Sequence, residues 1–374
     1  MKNKQLIFFI ITDLHLGKFG KTERLVSNLI SYFNTNKKQI AKADVLVLDG
    51  DTFDKMLQTT SLEYKLAIQF ISYLVQYCKL YNIKLRILEG TPSHDNKQME
   101  AISEAVGGFG NIDYKYIPNI QVEYMKEYDK HILYVPDKTR DTGLEIQDAI
   151  DTVLVENGLS KVDLVFVHGN FKYQLPISLK SELSEQFFLD ICKYYIVSGH
   201  IHIRSIFKRI IVPGSFDRLE VNNEAPKGGV FLYLGDSIDS SSFEFLDNLN
   251  AMRYDTLELL NSNSKEIYRK VKRHVEINNF TKDDHLRLKV DSNEIFTEIR
   301  NRLIADGYPF RIEPFKEAKP KKHLEVNKYP KAFLLESFEI NKENVYSLLE
   351  KRTGISKLLD GDRDRIKQIL LECS

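Results

Sequence analysis

At 374 residues the chain is too long for one ordinary domain and suits a large domain with a smaller one. Its composition, 43% apolar and 28% charged, excludes a disordered or fibrous protein, and no stretch approaches the roughly eighteen apolar residues of a membrane-spanning helix. A net charge of zero excludes a global pull toward nucleic acid, and three scattered cysteines exclude a disulfide framework and suit a reducing, cytoplasmic setting.

The first apolar run, residues 7–12, predicts a buried strand and ends in Asp13-Leu14-His15. Helical spacing over 23–33 leads to a second strand, 45–48, which ends in Asp49-Gly50-Asp51-Thr52-Phe53-Asp54. A long amphipathic helix, 62–81, precedes a third strand, 85–88, and the loop Gly90-Thr91-Pro92-Ser93-His94-Asp95. Residues 132–135 read as an extra strand and 144–155 as a helix. Strand 164–167 runs into His168-Gly169-Asn170, and strand 195–198 into Gly199-His200-Ile201-His202. Runs at 205–212 and 229–234 read as further, antiparallel flanking strands.

This alternation predicts βαβ units, hence an α/β fold with central, mainly parallel sheets flanked by helices. After residue 249 the rhythm changes. Helices over 265–277 and 293–305 alternate with strands over 286–290 and 310–314, a small α+β appendage over 250–314. A lysine-rich linker is expected over 315–336, and two short helices within 337–374.

Five of the nine histidines fall in the motifs that follow strands. Asp13 and His15, like His200 and His202, stand two apart and so share one side of an extended chain leaving a sheet. Asp51, behind Gly50 where the chain must turn tightly, is the candidate carboxylate to bridge two cations. Asp49 and Asp54 are expected to orient the ligands rather than bind. His168 completes the set. Mixed imidazole and carboxylate donors suit two divalent cations, Mn2+ first, with Fe2+ or Zn2+ possible and Mg2+ least suited. Such a centre hydrolyses phosphoesters.

The motifs DxH, GDxxD, an HD-containing loop, a lone His and GHxH resemble those of the calcineurin-like metallophosphoesterases. Within that superfamily, Asp13-Leu14-His15-Leu16-Gly17 and Val212-Pro213-Gly214-Ser215 resemble the SbcD-type nuclease subunits of the Mre/SbcD DNA repair and recombination complexes. The loop Gly90-Thr91-Pro92-Ser93-His94-Asp95 departs from the usual GNHD and is similar to viral members of that branch. The resemblance implies a metallophosphoesterase sandwich over 1–249, a capping, DNA-contacting domain over 250–314, and ATPase-binding helices over 337–374.

It also implies exonuclease and single-strand endonuclease activity on double-stranded ends and single-stranded DNA. Ser93 replaces the liganding asparagine in register, with the Thr91 hydroxyl as the other candidate. His94 would protonate the leaving oxygen or stabilise the transition state, and Asp95 would orient its ring. Arg269, Lys270, Lys272 and Arg273, on one expected helix, could contact phosphates. The implied partners are an SbcC-type ABC ATPase with a coiled coil and a second copy of the chain, joined through helix 62–81. The setting would be the cytoplasm, the nucleoid, or the host cytoplasm for a viral protein. Competing readings are a phosphodiesterase or phosphatase on nucleotides or phosphoproteins, and a non-catalytic scaffold that binds DNA ends or the ATPase.

Overall fold

The computed structural model describes residues 5–18, 20–107, 112–138, 141–174, 180–219, 225–308 and 310–315. The chain enters through β1 (Leu6–Ile11), α1 (Thr22–Thr35) and the single turn α2 (Lys37–Ile40), then continues through β2 (Val45–Asp49), α3 (Leu62–Tyr81), β3 (Lys84–Leu88), α4 (Gln98–Gly107) and β4 (Tyr114–Ile117). A second series comprises β5 (Gln121–Met125), β6 (Lys130–Val135), α5 (Gly143–Glu156), β7 (Val162–His168), α6 (Glu185–Ile191), β8 (Cys192–Gly199), β9 (Ser205–Phe207) and β10 (Ile210–Val212). The strands β11 (Gly228–Leu234) and β12 (Ser242–Asp247) then return to the first sheet.

Two six-stranded sheets result, in the orders β12-β11-β1-β2-β3-β4 and β5-β6-β7-β8-β10-β9. β1 to β4 are mutually parallel, as are β6, β7, β8 and β10, while β5, β9, β11 and β12 pair antiparallel. The run at 132–135 is therefore an inner strand, parallel to β7 and antiparallel to β5. The run at 205–212 folds into two strands, because Lys208 takes a positive φ of 53° and turns the chain.

The sheets are apolar on both faces. In β1, Phe8 and Ile10 join Val47, Leu164 and Phe166 between the sheets, and the Phe8 and Phe166 rings lie 5.4 Å apart. Phe9 and Ile11 point the other way and pack against Leu29 and Phe33 of α1 and Phe70 and Leu74 of α3. On the outer face of the second sheet Val165 and Val167 meet Ile146 and Ile150 of α5 and Phe188 of α6. Strands buried on both faces have no polar alternation, which is why they read as continuous apolar runs.

Beyond residue 249 the chain forms β13 (Tyr254–Glu258), α7 (Ser264–Ile277), β14 (His285–Lys289), α8 (Asn293–Ala305) and β15 (Arg311–Pro314). The three strands are parallel and alternate with the two helices, so the small appendage expected here is a βαβαβ unit, with β13 as a strand beyond those expected. Its own core includes Ile267, Val271, Leu286, Leu288, Ile299 and Leu303. Residues through Phe315 belong to one compact unit. The remainder of the expected linker and the two terminal helices lie outside the described residues. No helix among the described residues is long and apolar enough to cross a membrane.

Candidate metal centre

The ligand motifs meet because β1, β2, β3, β7 and β8 end at one edge of their sheets. Register pairs Ile11 with Leu48, Asp49 with Leu88, and His168 with Gly199. The two loops leaving β1 and β2 are joined by main-chain hydrogen bonds: Asp13 N donates to Gly50 O at 3.2 Å, His15 N to Asp51 O at 3.0 Å and Leu16 N to Thr52 O at 2.9 Å. Asp13, His15, Asp51 and His200 all have positive φ, at 52°, 52°, 46° and 82°. Non-glycine residues seldom adopt this conformation, and a cluster of them marks a site where packing overrides backbone preference.

Two glycines admit this crowding. Gly50 has φ +81°, and a Cβ there would lie 2.1 Å from His168 Nδ1. A Cβ on Gly199 would lie 2.4 Å from both Asp49 O and Thr12 Oγ1.

Three donor groups converge, each with ligand atoms within 4.8 Å of one another: Asp13, His15 and His202; His15, Asp51 and His94; and Asp51, His168 and His200. Asp51 faces both ways. Its Oδ1 lies 3.2 Å from His168 Nε2, and its Oδ2 lies 3.8 Å from His15 Nε2. His202 Nε2 lies 3.1 Å from His15 Nε2 and 3.6 Å from Asp13 Oδ1.

The ring orientations have identifiable causes. His168 Nδ1 donates to the Asp49 main-chain oxygen at 2.7 Å, His15 Nδ1 lies 3.2 Å from the Asp54 carboxylate, and His94 Nδ1 donates to the Asp54 main-chain oxygen at 2.6 Å. Each of these bonds leaves Nε2 for the centre, the arrangement by which outer partners set a ligand's tautomer. Asp49 thus meets the His168 ring through its main-chain oxygen, and Asp54 meets His15 through its carboxylate.

Charge follows burial and pairing. Burial would raise the Asp51 carboxyl, but His168 outweighs it and holds Asp51 well below the ordinary carboxylate range. Burial would lower His168, but Asp51 outweighs it and raises the imidazole well above its ordinary value, so the two form a buried ion pair. Burial, with His168 adding to it, brings His200 down to about 4. Burial and His15 bring His202 down to about 3. Both rings are neutral at pH 7, the form that binds a cation. The donor set therefore fits a divalent metal: Asp13, His15, Asp51, His168, His200 and His202 all sit at 27% side-chain exposure or less, and His168 Nε2 is fully buried without a well-aligned hydrogen bond among the described residues.

Two expectations at the Gly90–Asp95 loop are corrected. Ser93 is exposed, and the hydroxyl facing the centre is that of Thr91, 3.3 Å from both Asp51 Oδ2 and His200 Nδ1. The turn puts Thr91 there because its main-chain N–H also donates to Asp51 Oδ1 at 2.6 Å. Asp95 does not orient His94. It is buried and accepts the Phe53 and Gly90 main-chain N–H groups at 2.8 and 2.7 Å, fastening the loop from behind.

On α7, Arg269, Lys270, Lys272 and Arg273 are exposed, but Lys270 pairs with Glu266 at 2.8 Å and Lys272 with Glu276 at 3.9 Å. Half of the expected basic patch is therefore partly neutralised within its own helix.

Two residues escape a reading by motif. Lys227 is 1% exposed, and its Nζ donates to His202 O at 2.6 Å and to Ser215 Oγ at 3.0 Å. Ser215 N donates to the same His202 oxygen at 3.2 Å, which gives the Val212-Pro213-Gly214-Ser215 turn its role behind the His202 loop. Asp137, two residues past β6, is 6% exposed with Oδ2 3.9 Å from His200 Nδ1. Its one available signal was position after a strand, without a histidine or glycine to mark it.

Comparison with family models and with curated proteins finds no match. Among the solved structures that match, one crystal structure is 14% identical, with 65% of this chain and 99% of that chain covered and a TM-score of 0.39.

Proposed function

We propose that the chain is a metal-dependent phosphodiester hydrolase of the calcineurin-like metallophosphoesterase type, acting on DNA. The observation that carries this is the position of Asp51, with one oxygen toward His168 and the other toward His15, each imidazole within its own donor group. A carboxylate placed this way could be shared by two cations held close together. Asp13, His15 and His202 would hold one cation and His168 and His200 the other, with Asp51 shared between them; Mn2+ suits these donors best.

Cations held there would neutralise charge on a phosphoryl group and make water a stronger nucleophile. The protein's own part is positional. Asp49 and Asp54 lock the His168 and His15 rings, and the Asp54 carbonyl holds the proton on His94 Nδ1, so His94 Nε2 faces the centre. The His94 ring sits 4.8 Å from the His15 ring, edge to face, where its imidazolium form, protonated on Nε2 as well as Nδ1, could give the Nε2 proton to a leaving alkoxide and keep the one on Nδ1.

DNA as substrate rests on the resemblance of Asp13-Leu14-His15-Leu16-Gly17 and Val212-Pro213-Gly214-Ser215 to SbcD-type nuclease subunits. It is supported by the appended βαβαβ unit and by the exposed Arg269 and Arg273 of α7. On this reading the enzyme trims DNA ends and cuts single strands, working with an SbcC-type ATPase and a second copy of itself in recombination or break repair. The test is cleavage of end-labelled linear DNA in Mn2+ by the full chain and by His94→Ala. Loss of cleavage with two cations retained supports the proposal, and a wild-type chain that binds cations but cleaves no phosphodiester overturns it.

A further inference from the structure

The donor group Asp51, His168 and His200 comprises one carboxylate and two imidazoles, one donor short of the four that a zinc- or manganese-type cation takes at minimum. The Gly90–Asp95 loop contributes a neutral hydroxyl from Thr91, while Ser93 faces away. Near the same His200 nitrogen that Thr91 approaches stands a carboxylate oxygen, that of Asp137.

Topology places it there. β6, β7 and β8 are adjacent and parallel, with Val135 opposite Val167 and His168 opposite Gly199. His168, which ends β7, and Asp137 and His200, just past β6 and β8, therefore share one sheet edge. Asp137 is buried at 6% exposure, and its Oδ2 lies 3.9 Å from His200 Nδ1. Two donors each about 2.1 Å from one cation are separated by roughly 3 to 4 Å, so this spacing suits a shared ion.

We propose that Asp137 is a ligand of the second cation, supplying the donor that the Gly90–Asp95 loop lacks. The inference rests on the two-cation reading above and deepens it. A carboxylate here makes the second site one charge more negative than a neutral amide or hydroxyl would, which raises its affinity for hard, oxygen-preferring cations such as Mn2+.

The experiment is Mn2+ titration of the full chain by calorimetry, with the spin coupling of paired Mn2+ as an independent signal, for wild type, Asp137→Ala, Asp137→Asn, Thr91→Val and His202→Ala. The expected result is two ions on wild type. Asp137→Ala should weaken one of them by about tenfold or more and abolish the coupling, Asp137→Asn should fall between, and His202→Ala should weaken the other ion. Circular dichroism and melting temperature report whether each variant folds, and Asp137→Asn, nearly isosteric, serves if Asp137→Ala does not. Two ions on Asp137→Ala with affinities within twofold of wild type overturn the inference and leave the two-cation reading intact, as does loss of the second ion in Thr91→Val alone. A wild-type chain that binds fewer than two ions overturns both.

Discussion

Asp54 governs His94 and His15 by two different atoms: its main-chain oxygen accepts from His94 Nδ1 at 2.6 Å, while its carboxylate lies 3.2 Å from His15 Nδ1. Removing the carboxylate therefore separates the two roles. Asp54→Ala should weaken the cation held by His15 about 10- to 100-fold and leave the His94 orientation in place, read as a shift in Mn2+ titration with kcat at saturating Mn2+ changed much less.

His94→Asn should reverse that pattern. With the proton donor gone, kcat on a phosphodiester with a poor leaving group should fall about 10²- to 10⁴-fold, whereas Mn2+ stoichiometry should stay at two. A substrate with a good leaving group needs no proton and should lose far less. Equal losses on both substrates would contradict the assignment.

The Asp51–His168 pair sets a pH dependence. His168 is raised in the metal-free protein, so at neutral pH its imidazole is protonated, and a cation must displace that proton. Metal binding should release about one proton from His168, and affinity should rise with pH until the raised value is passed. His200 and His202, at about 4 and about 3, release none near neutrality. Calorimetry in buffers of differing ionisation enthalpy measures the proton count.

Gly50→Ala should be destabilising whether or not metal is present. The added Cβ would lie 2.1 Å from His168 Nδ1 at φ +81°, breaking the bond from His168 to Asp49 O as well as straining the turn. A loss on the order of 2–4 kcal/mol is expected, measured by urea unfolding.

If α7 meets DNA, Arg269→Ala with Arg273→Ala should reduce the dependence of log affinity on log salt by about two, one per phosphate contact. Lys270→Ala and Lys272→Ala should do less, since each is already paired with a glutamate on its own helix. Filter binding on one duplex from low to high salt would show it.

Much of the sandwich was legible because its strands are buried on both faces and each ligand motif follows such a run directly. Asp13, His15, Asp51, His168, His200 and His202 come together because parallel strands end at a common edge, a consequence of topology that spacing alone can suggest. What escaped was short, polar or turn-dependent. β13 carries Asp255 and Glu258 within five residues and has no strand signature, so the parallel character of the appended unit was hidden. Register with a motif favours Ser93 over Thr91 because it says nothing about which way a turn points its hydroxyls. Lys227 reads as an ordinary surface lysine, and only the packing of β11 beside β1 reveals that it is buried.

That packing bears on the order in which the protein is made. β11 opens at Gly228, directly after Lys227, and pairs with β1, from which Asp13 and His15 extend; Lys227 in turn holds the carbonyl of His202. A nascent chain that has emerged only through His202 carries every histidine of the centre, yet β1 still has an unpaired edge and the His202 loop lacks its anchor. Full assembly of the centre thus waits for a pairing between residues more than two hundred positions apart, the kind of long-range contact that slows folding and leaves strand edges exposed to aggregation.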